Sequence, residues 1–151
     1  MPAIGDRAPA LAGATQSGNF DLAQAQGPVV VYFYPRDATP GCTTEARDFR
    51  DLAPQFAAAG VTVVGVSRDT VASHQRFATK ECLPFPLISD TTGAITEAWG
   101  VWREKKLYGK VSLGIVRSTF LVGRDGKIAA VWDPVKVNGH AAAVLATVGT
   151  L

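Results

Sequence analysis

The chain has 151 residues, 47% of them hydrophobic and 19% charged, so it can bury a core of its own and is too apolar to be disordered. Fifteen Lys and Arg against thirteen Asp and Glu leave a formal charge of +2, too small a surplus for a nucleic-acid surface. Two cysteines rule out a disulfide scaffold, and no apolar run approaches the roughly 18 residues of a membrane span.

The opening MPAIGDRAPAL has no basic segment followed by an apolar stretch, so a cytoplasmic location is expected. Ser17–Gly18–Asn19 predicts a small N-terminal hairpin. Val29 to Tyr34 is continuously apolar and stops at Pro35, which is how a strand buried on both faces reads. A loop from Arg36 to Gly41 leads to Cys42 and a helix whose apolar face is Ala46, Phe49, Leu52, Ala53, Phe56 and Ala57. Pro54 predicts a kink or restart in that helix, and Gly60 ends it. Val61 to Val66 is a second buried strand, and a strand–helix–strand crossover makes the two strands parallel.

Thr70 to Lys80 predicts another helix, capped by Asp69 or Thr70; Leu87–Ile88 predicts a short strand and Thr91 to Trp99 a short helix. Gly100 to Gly114 reads as a long loop, with Arg103, Lys105, Lys106 and Lys110 in solvent, and Trp99, Trp102 and Tyr108 around it either packing the core or loop or walling a pocket for an apolar ligand. Ser118 to Val122 and Ile128 to Trp132 flank a Gly123–Gly126 turn as a hairpin. Asn138 is the expected cap of a last helix carrying Ala141, Val144, Leu145 and Val148. With no repeat or linker, residues 1–151 read as one α/β domain of thioredoxin-like fold: a central mixed β-sheet flanked by helices, with an N-terminal hairpin extension.

Chemistry concentrates where the first long strand meets its helix, because ligands of α/β sheets favour the crevice beyond the strands' carboxyl ends. Cys42 falls in the first turn of that helix, where unpaired N–H groups and the helix dipole favour an anion. The thiolate is the nucleophilic form of cysteine. Arg117, at the entrance of the third strand, is a candidate cation for it. Thr39 offers a hydroxyl to a bound oxygen, or serves as a turn or cap residue. The stretch Thr39–Pro40–Gly41–Cys42 is not a Cys-x-x-Cys centre, which leaves attack by a single thiol on a small electrophile. His74, beside Gln75 and Arg76, reads as solvated and His140 as a capping or surface residue; without ligand spacing, no metal site is expected.

The segment FYPRDATPGCTTEA resembles the peroxiredoxin signature Pro-x-x-x-Thr-x-x-Cys, here Pro35, Thr39 and Cys42. SHQRFATKECLPFPLISD, GVWREKKLYGKV, GIVRSTFLV and VWDPVKVNGH extend the likeness along nearly the whole chain to the PrxQ, or bacterioferritin comigratory protein, subfamily of the AhpC/TSA group. The resemblance implies a cofactor-free thiol peroxidase acting on hydrogen peroxide and organic hydroperoxides, recycled by thioredoxin or a similar thiol reductant, and a monomer. It implies that Cys42 is the peroxidatic cysteine, oxidised to a sulfenic acid. Thr39 and the N–H groups around Gly41 and Cys42 would bind the peroxide, Arg117 would stabilise charge, Pro35 would shield the thiolate and Glu45 would orient the arginine. The alternatives are a redox relay that passes oxidation of Cys42 to a partner protein, or a thioredoxin-fold scaffold with a dead site.

One departure stands out. Many subfamily members carry a resolving cysteine five residues after the peroxidatic one; here that position is Arg47. Others carry it in the next helix, around Ala78, and Cys82 lies four residues beyond. Two readings of Cys82 stand open: a resolving cysteine, or a buried core thiol with an external thiol resolving the sulfenic acid.

Overall fold

The computed structural model describes residues 1–151, apart from the side chain of Leu107. The run VVVYF forms the central strand β3 (Val29–Phe33), every residue of it buried. Its side chains alternate between two apolar clusters, Val30 and Tyr32 on one face and Val29, Val31 and Phe33 on the other. The other strands are β1 (Ala12–Thr15), β2 (Gly18–Asp21), β4 (Thr62–Ser67), β5 (Leu87–Ser89), β6 (Trp102–Leu107), β7 (Lys110–Ile115), β8 (Ser118–Val122) and β9 (Ile128–Trp132). Seven of them form one mixed sheet in the order β2-β1-β5-β4-β3-β8-β9. The pairs β3–β4 and β4–β5 are parallel, whereas β8 runs antiparallel to β3 and to β9.

The helices are α1 (Pro40–Asp51), α2 (Ala53–Ala58), α3 (Val71–Glu81), α4 (Ala94–Ala98) and α5 (His140–Val148). Phe49 of α1, Phe56 of α2, Phe77 and Ala78 of α3, and Val144 of α5 cover the Val30/Tyr32 face. Trp99, Val101, Ile115 and Ile128 cover the opposite face, so Trp99 is a core residue. Leu52 separates α1 from α2, with Pro54 near the start of the second helix, which is the restart the proline predicts. Among the described residues no helix is long and apolar enough to cross a membrane.

Three expectations are corrected. Gly100–Gly114 is not a loop: β6 and β7 pair from Trp102↔Ile115 to Leu107↔Lys110. Its turn, Tyr108–Gly109, has φ of 51° and 78°, both positive as a type I′ turn requires, but it lacks the Asn-Gly pair that signals one. Its basic residues are accordingly on strands, and Lys105 donates to the Ile115 carbonyl at 2.8 Å. Finally, the N-cap of α5 is Gly139, at φ 74°, rather than Asn138.

Candidate active site

The site is assembled where the carboxyl end of β3 meets the entrance of β8. Antiparallel pairing sets Phe33 opposite Ser118, so the next residue on each side, Tyr34 and Arg117, brings the start of the Pro35–Thr39 loop beside the arginine. Val135 N–H donates to the Arg117 carbonyl at 2.9 Å and pins that backbone. Thr39 is the N-cap of α1 and Pro40 its first residue, where proline's missing N–H leaves no helical bond unmade. Cys42 therefore occupies the third helical position, and the N–H groups of Gly41 and Cys42 have no intrahelical acceptor.

Cys42 is buried, at 2% exposure. Arg117 Nη2 points to its Sγ at 3.3 Å, and Nη1 donates to Glu45 Oε1 at 2.7 Å. A guanidinium bound on one side to a carboxylate presents a fixed N–H to the sulfur, a charge-assisted contact with a set direction. Gly41 leaves room for this approach, since a Cβ there would lie 3.3 Å from Arg117 Nη2 and press on the guanidinium. Burial pushes the Glu45 carboxyl up to about 7 even though Arg117 pulls it down. Its second oxygen, Oε2, is buried without a partner, as is the hydroxyl of Tyr32.

The loop before Cys42 is tightly held. Thr39 Oγ1 donates to the Arg36 carbonyl at 2.8 Å, so its lone pairs remain to accept a hydrogen bond. Ala38 adopts φ 62°, a conformation that a non-glycine residue takes only where its surroundings impose it. Asp37 N–H donates to Asp69 Oδ2 at 2.9 Å. Pro35, half-buried, follows Tyr34, whose N–H continues the ladder to the Val66 carbonyl at 3.1 Å.

His74 is corrected outright: it is fully buried. Its Nδ1 lies 2.7 Å from Asp37 Oδ2 and its Nε2 3.0 Å from the Ile88 carbonyl, so both ring nitrogens are engaged. Asp37 also accepts from Tyr34 Oη at 2.6 Å and Ser73 Oγ at 2.8 Å. Burial raises the Asp37 carboxyl, but the hydrogen bonds from His74 and Tyr34 outweigh it and hold the group below its usual value. The sequence carried a signal for this network, because His74 precedes Phe77 and Ala78 by three and four residues and so shares their buried face. His140 is likewise buried, bonded to Thr119 Oγ1 at 2.8 Å, and burial with the nearby Arg117 charge lowers it to about 4.

Cys82 is not a core thiol. It is exposed, and it caps α3 in the left-handed conformation at φ 55°, so it no longer shares the helix face of Ala78. Among the described residues, Asp37, Asp69 and His74 are close enough to hold a metal ion, but the bonds above already occupy them.

The AhpC/TSA family model matches residues 4–131 of the chain. The chain is 53% identical over 118 residues to peroxiredoxin Bcp of Xanthomonas campestris, covering 78% of this chain and 74% of that protein. A solved structure of Xanthomonas campestris peroxiredoxin Q superposes with a TM-score of 0.87 at 48% identity, covering 93% of this chain and 90% of that one. Another, of the bacterioferritin comigratory protein of the same organism and described for its alkyl peroxide reduction activity, gives 0.87 at 47% identity with the same coverage. With a thiol held against a guanidinium at a helix start and relatives this close over most of its length, the chain belongs to the AhpC/TSA family and is a peroxiredoxin, a thiol peroxidase of thioredoxin fold.

Proposed function

We propose that Cys42 attacks hydrogen peroxide and organic hydroperoxides, with Cys82 resolving the product and thioredoxin or a similar thiol restoring both cysteines. The Xanthomonas relative's alkyl peroxide reduction supports the organic substrates. The observation that carries the site assignment is the 3.3 Å contact from Arg117 Nη2 to Cys42 Sγ at the first turn of α1.

The chemistry follows from the donors present. Sulfur attacks one peroxide oxygen; the S–O bond forms as the O–O bond breaks, and negative charge passes to the departing oxygen. Arg117 and the free N–H groups of Gly41 and Cys42 face the charge at both ends of that transfer, which is where preorganised donors lower a barrier most. Thr39, its own proton committed to Arg36, accepts the peroxide O–H and so aligns the O–O bond. Pro35 covers the sulfur from water, and Glu45 fixes the guanidinium. The leaving oxygen takes a proton and departs as water or alcohol, and Cys42 remains as a sulfenic acid. The Cys82 thiolate then attacks that sulfur, a disulfide forms and hydroxide leaves. A thiol reductant is needed to close the cycle, and free thiols at both cysteines suit the reducing cytoplasm. The subfamily likeness supports one domain acting as a monomer.

Intact mass after one equivalent of hydroperoxide tests this reading. Wild type is expected to lose two hydrogens, Cys82→Ser to gain one oxygen and Cys42→Ser to stay unchanged. Reaction of Cys42→Ser as fast as wild type would overturn the assignment.

A further inference from the structure

Cys82 faces solvent and Cys42 is buried, so a bond between them needs one end of α1 or α3 to move. What resists that movement is visible one residue before Cys82. Glu81 is a buried carboxylate at the last position of α3. Arg47 Nε donates to its Oε1 at 2.5 Å, and Arg50 Nη1 donates to its backbone carbonyl at 2.9 Å. Arg47 and Arg50 are three residues apart on α1, so they share one face of the helix that Cys42 begins. One grips the side chain and the other the backbone of a single residue, and together they fasten the end of α3 to α1.

The helix end they hold is itself under tension. The N–H of Leu83 reaches back to the Ala78 carbonyl at 2.9 Å, and Cys82 between them takes the left-handed position that glycine usually fills. A side chain there is disfavoured, because its Cβ crowds the following carbonyl oxygen. The thiol gains little in return, since its one polar contact, to the Thr79 carbonyl, is 3.9 Å long. Pro84 follows two residues later and prevents the helix from continuing. The two arginines therefore add a polar clamp to the apolar packing of Phe77, Ala78 and Leu83, while Cys82 itself contributes little to holding the closed state.

We propose that Arg47 and Arg50 form a latch on Glu81 that holds Cys82 away from Cys42, so that opening of this latch sets the rate at which the sulfenic acid becomes the internal disulfide. The proposal rests on Cys82 being the resolving cysteine. While the latch is closed the Cys42 sulfenic acid persists, available to a second peroxide molecule, which would carry it to the sulfinic acid, or to an external thiol. Arg47, Arg50 and Glu81 are positioning residues; they act on the second chemical step and leave the first alone. When a reaction passes through a local opening, its rate follows the opening equilibrium, so a weaker closed state speeds it.

Rapid-quench mass spectrometry after mixing with hydroperoxide separates the steps: gain of one oxygen marks the sulfenic acid, loss of two hydrogens the disulfide, and gain of two oxygens the sulfinic acid. Arg47→Met, chosen because Arg47 is half in solvent, and Glu81→Gln are each expected to speed sulfenic-to-disulfide conversion roughly fivefold, the effect of one lost hydrogen bond. The rate of sulfenic acid formation should stay within twofold of wild type, and the sulfinic fraction at high peroxide should fall. The charge-swapped pair Arg47→Glu with Glu81→Arg should return conversion toward the wild-type rate. A conversion rate that is unchanged or slower in both single variants, while wild type does form the disulfide, would sink the latch and leave Cys82 as resolver. No disulfide in wild type or in any latch variant would sink the Cys82 reading and the latch with it.

Discussion

Two buried polar clusters flank the Pro35–Thr39 loop, and they are built on opposite terms. On the α3 side, Asp37 accepts from Tyr34, Ser73 and His74, and His74 spends its other nitrogen on the Ile88 carbonyl. On the α1 side, Arg117 divides itself between Glu45 and Cys42, while Glu45 Oε2 is left with no partner. The first cluster is closed and the second is open. A buried network whose bonds are all made fixes the chain around it, whereas unsatisfied groups cost stability and persist where chemistry needs them. The closed cluster fixes the loop that leads into the open one.

Breaking the closed cluster should produce the largest effect, and it should fall on stability. Asp37→Ala strands the Tyr34, Ser73 and His74 donors together, at a cost of about 4 kcal/mol and a fall in Tm of roughly 10 °C in thermal unfolding. The oxidation rate of the protein that remains folded should drop less than about tenfold. A hundredfold loss of rate with an unchanged Tm would erase the distinction between the clusters.

The open cluster predicts the reverse pattern. Arg117→Met should slow oxidation of Cys42 by roughly 100-fold, the usual loss on removing one donor to developing charge, as read from stopped-flow second-order rate constants. Normal oxidation in that variant would mean that the helix terminus alone activates the sulfur.

The smallest effect concerns pH. Glu45 ionises at about 7 in the folded protein, above its ordinary 4.5, so burial opposes the charged form. Its contribution to stability is complete below about pH 4.5 and is lost as pH rises through about 7. Between about pH 5.5 and 7.5 wild type should lose about 2 kcal/mol more stability than Glu45→Gln, as measured by urea unfolding. Parallel curves for the two proteins would show that Oε2 finds a partner in solution.

Much of this was legible before any coordinates. The run VVVYF, the apolar face of α1 and the cap at Thr70 are local patterns, and each became the element it predicts. Pro35, Thr39, Gly41, Cys42 and Glu45 lie within eleven residues, so a strand, a loop and the first turn of a helix are enough to bring them together. Arg117 needed the β3–β8 register before its place beside Cys42 was defined. The β6–β7 hairpin escaped because its turn places Tyr108 where Asn is the usual signal. The position of His74 was hidden by its polar neighbours Gln75 and Arg76, which face outward while it faces in.

By itself the sequence determined the elements, their order and the thiol at a helix start, because each depends on bonds and periodicities that span a few residues. Only the tertiary structure decided which charges meet: Arg117 with Cys42, His74 with Asp37, and Arg47 and Arg50 with Glu81. Those pairings join residues 31 to 75 positions apart, and their partners are chosen by strand register and helix packing rather than by anything written near either residue.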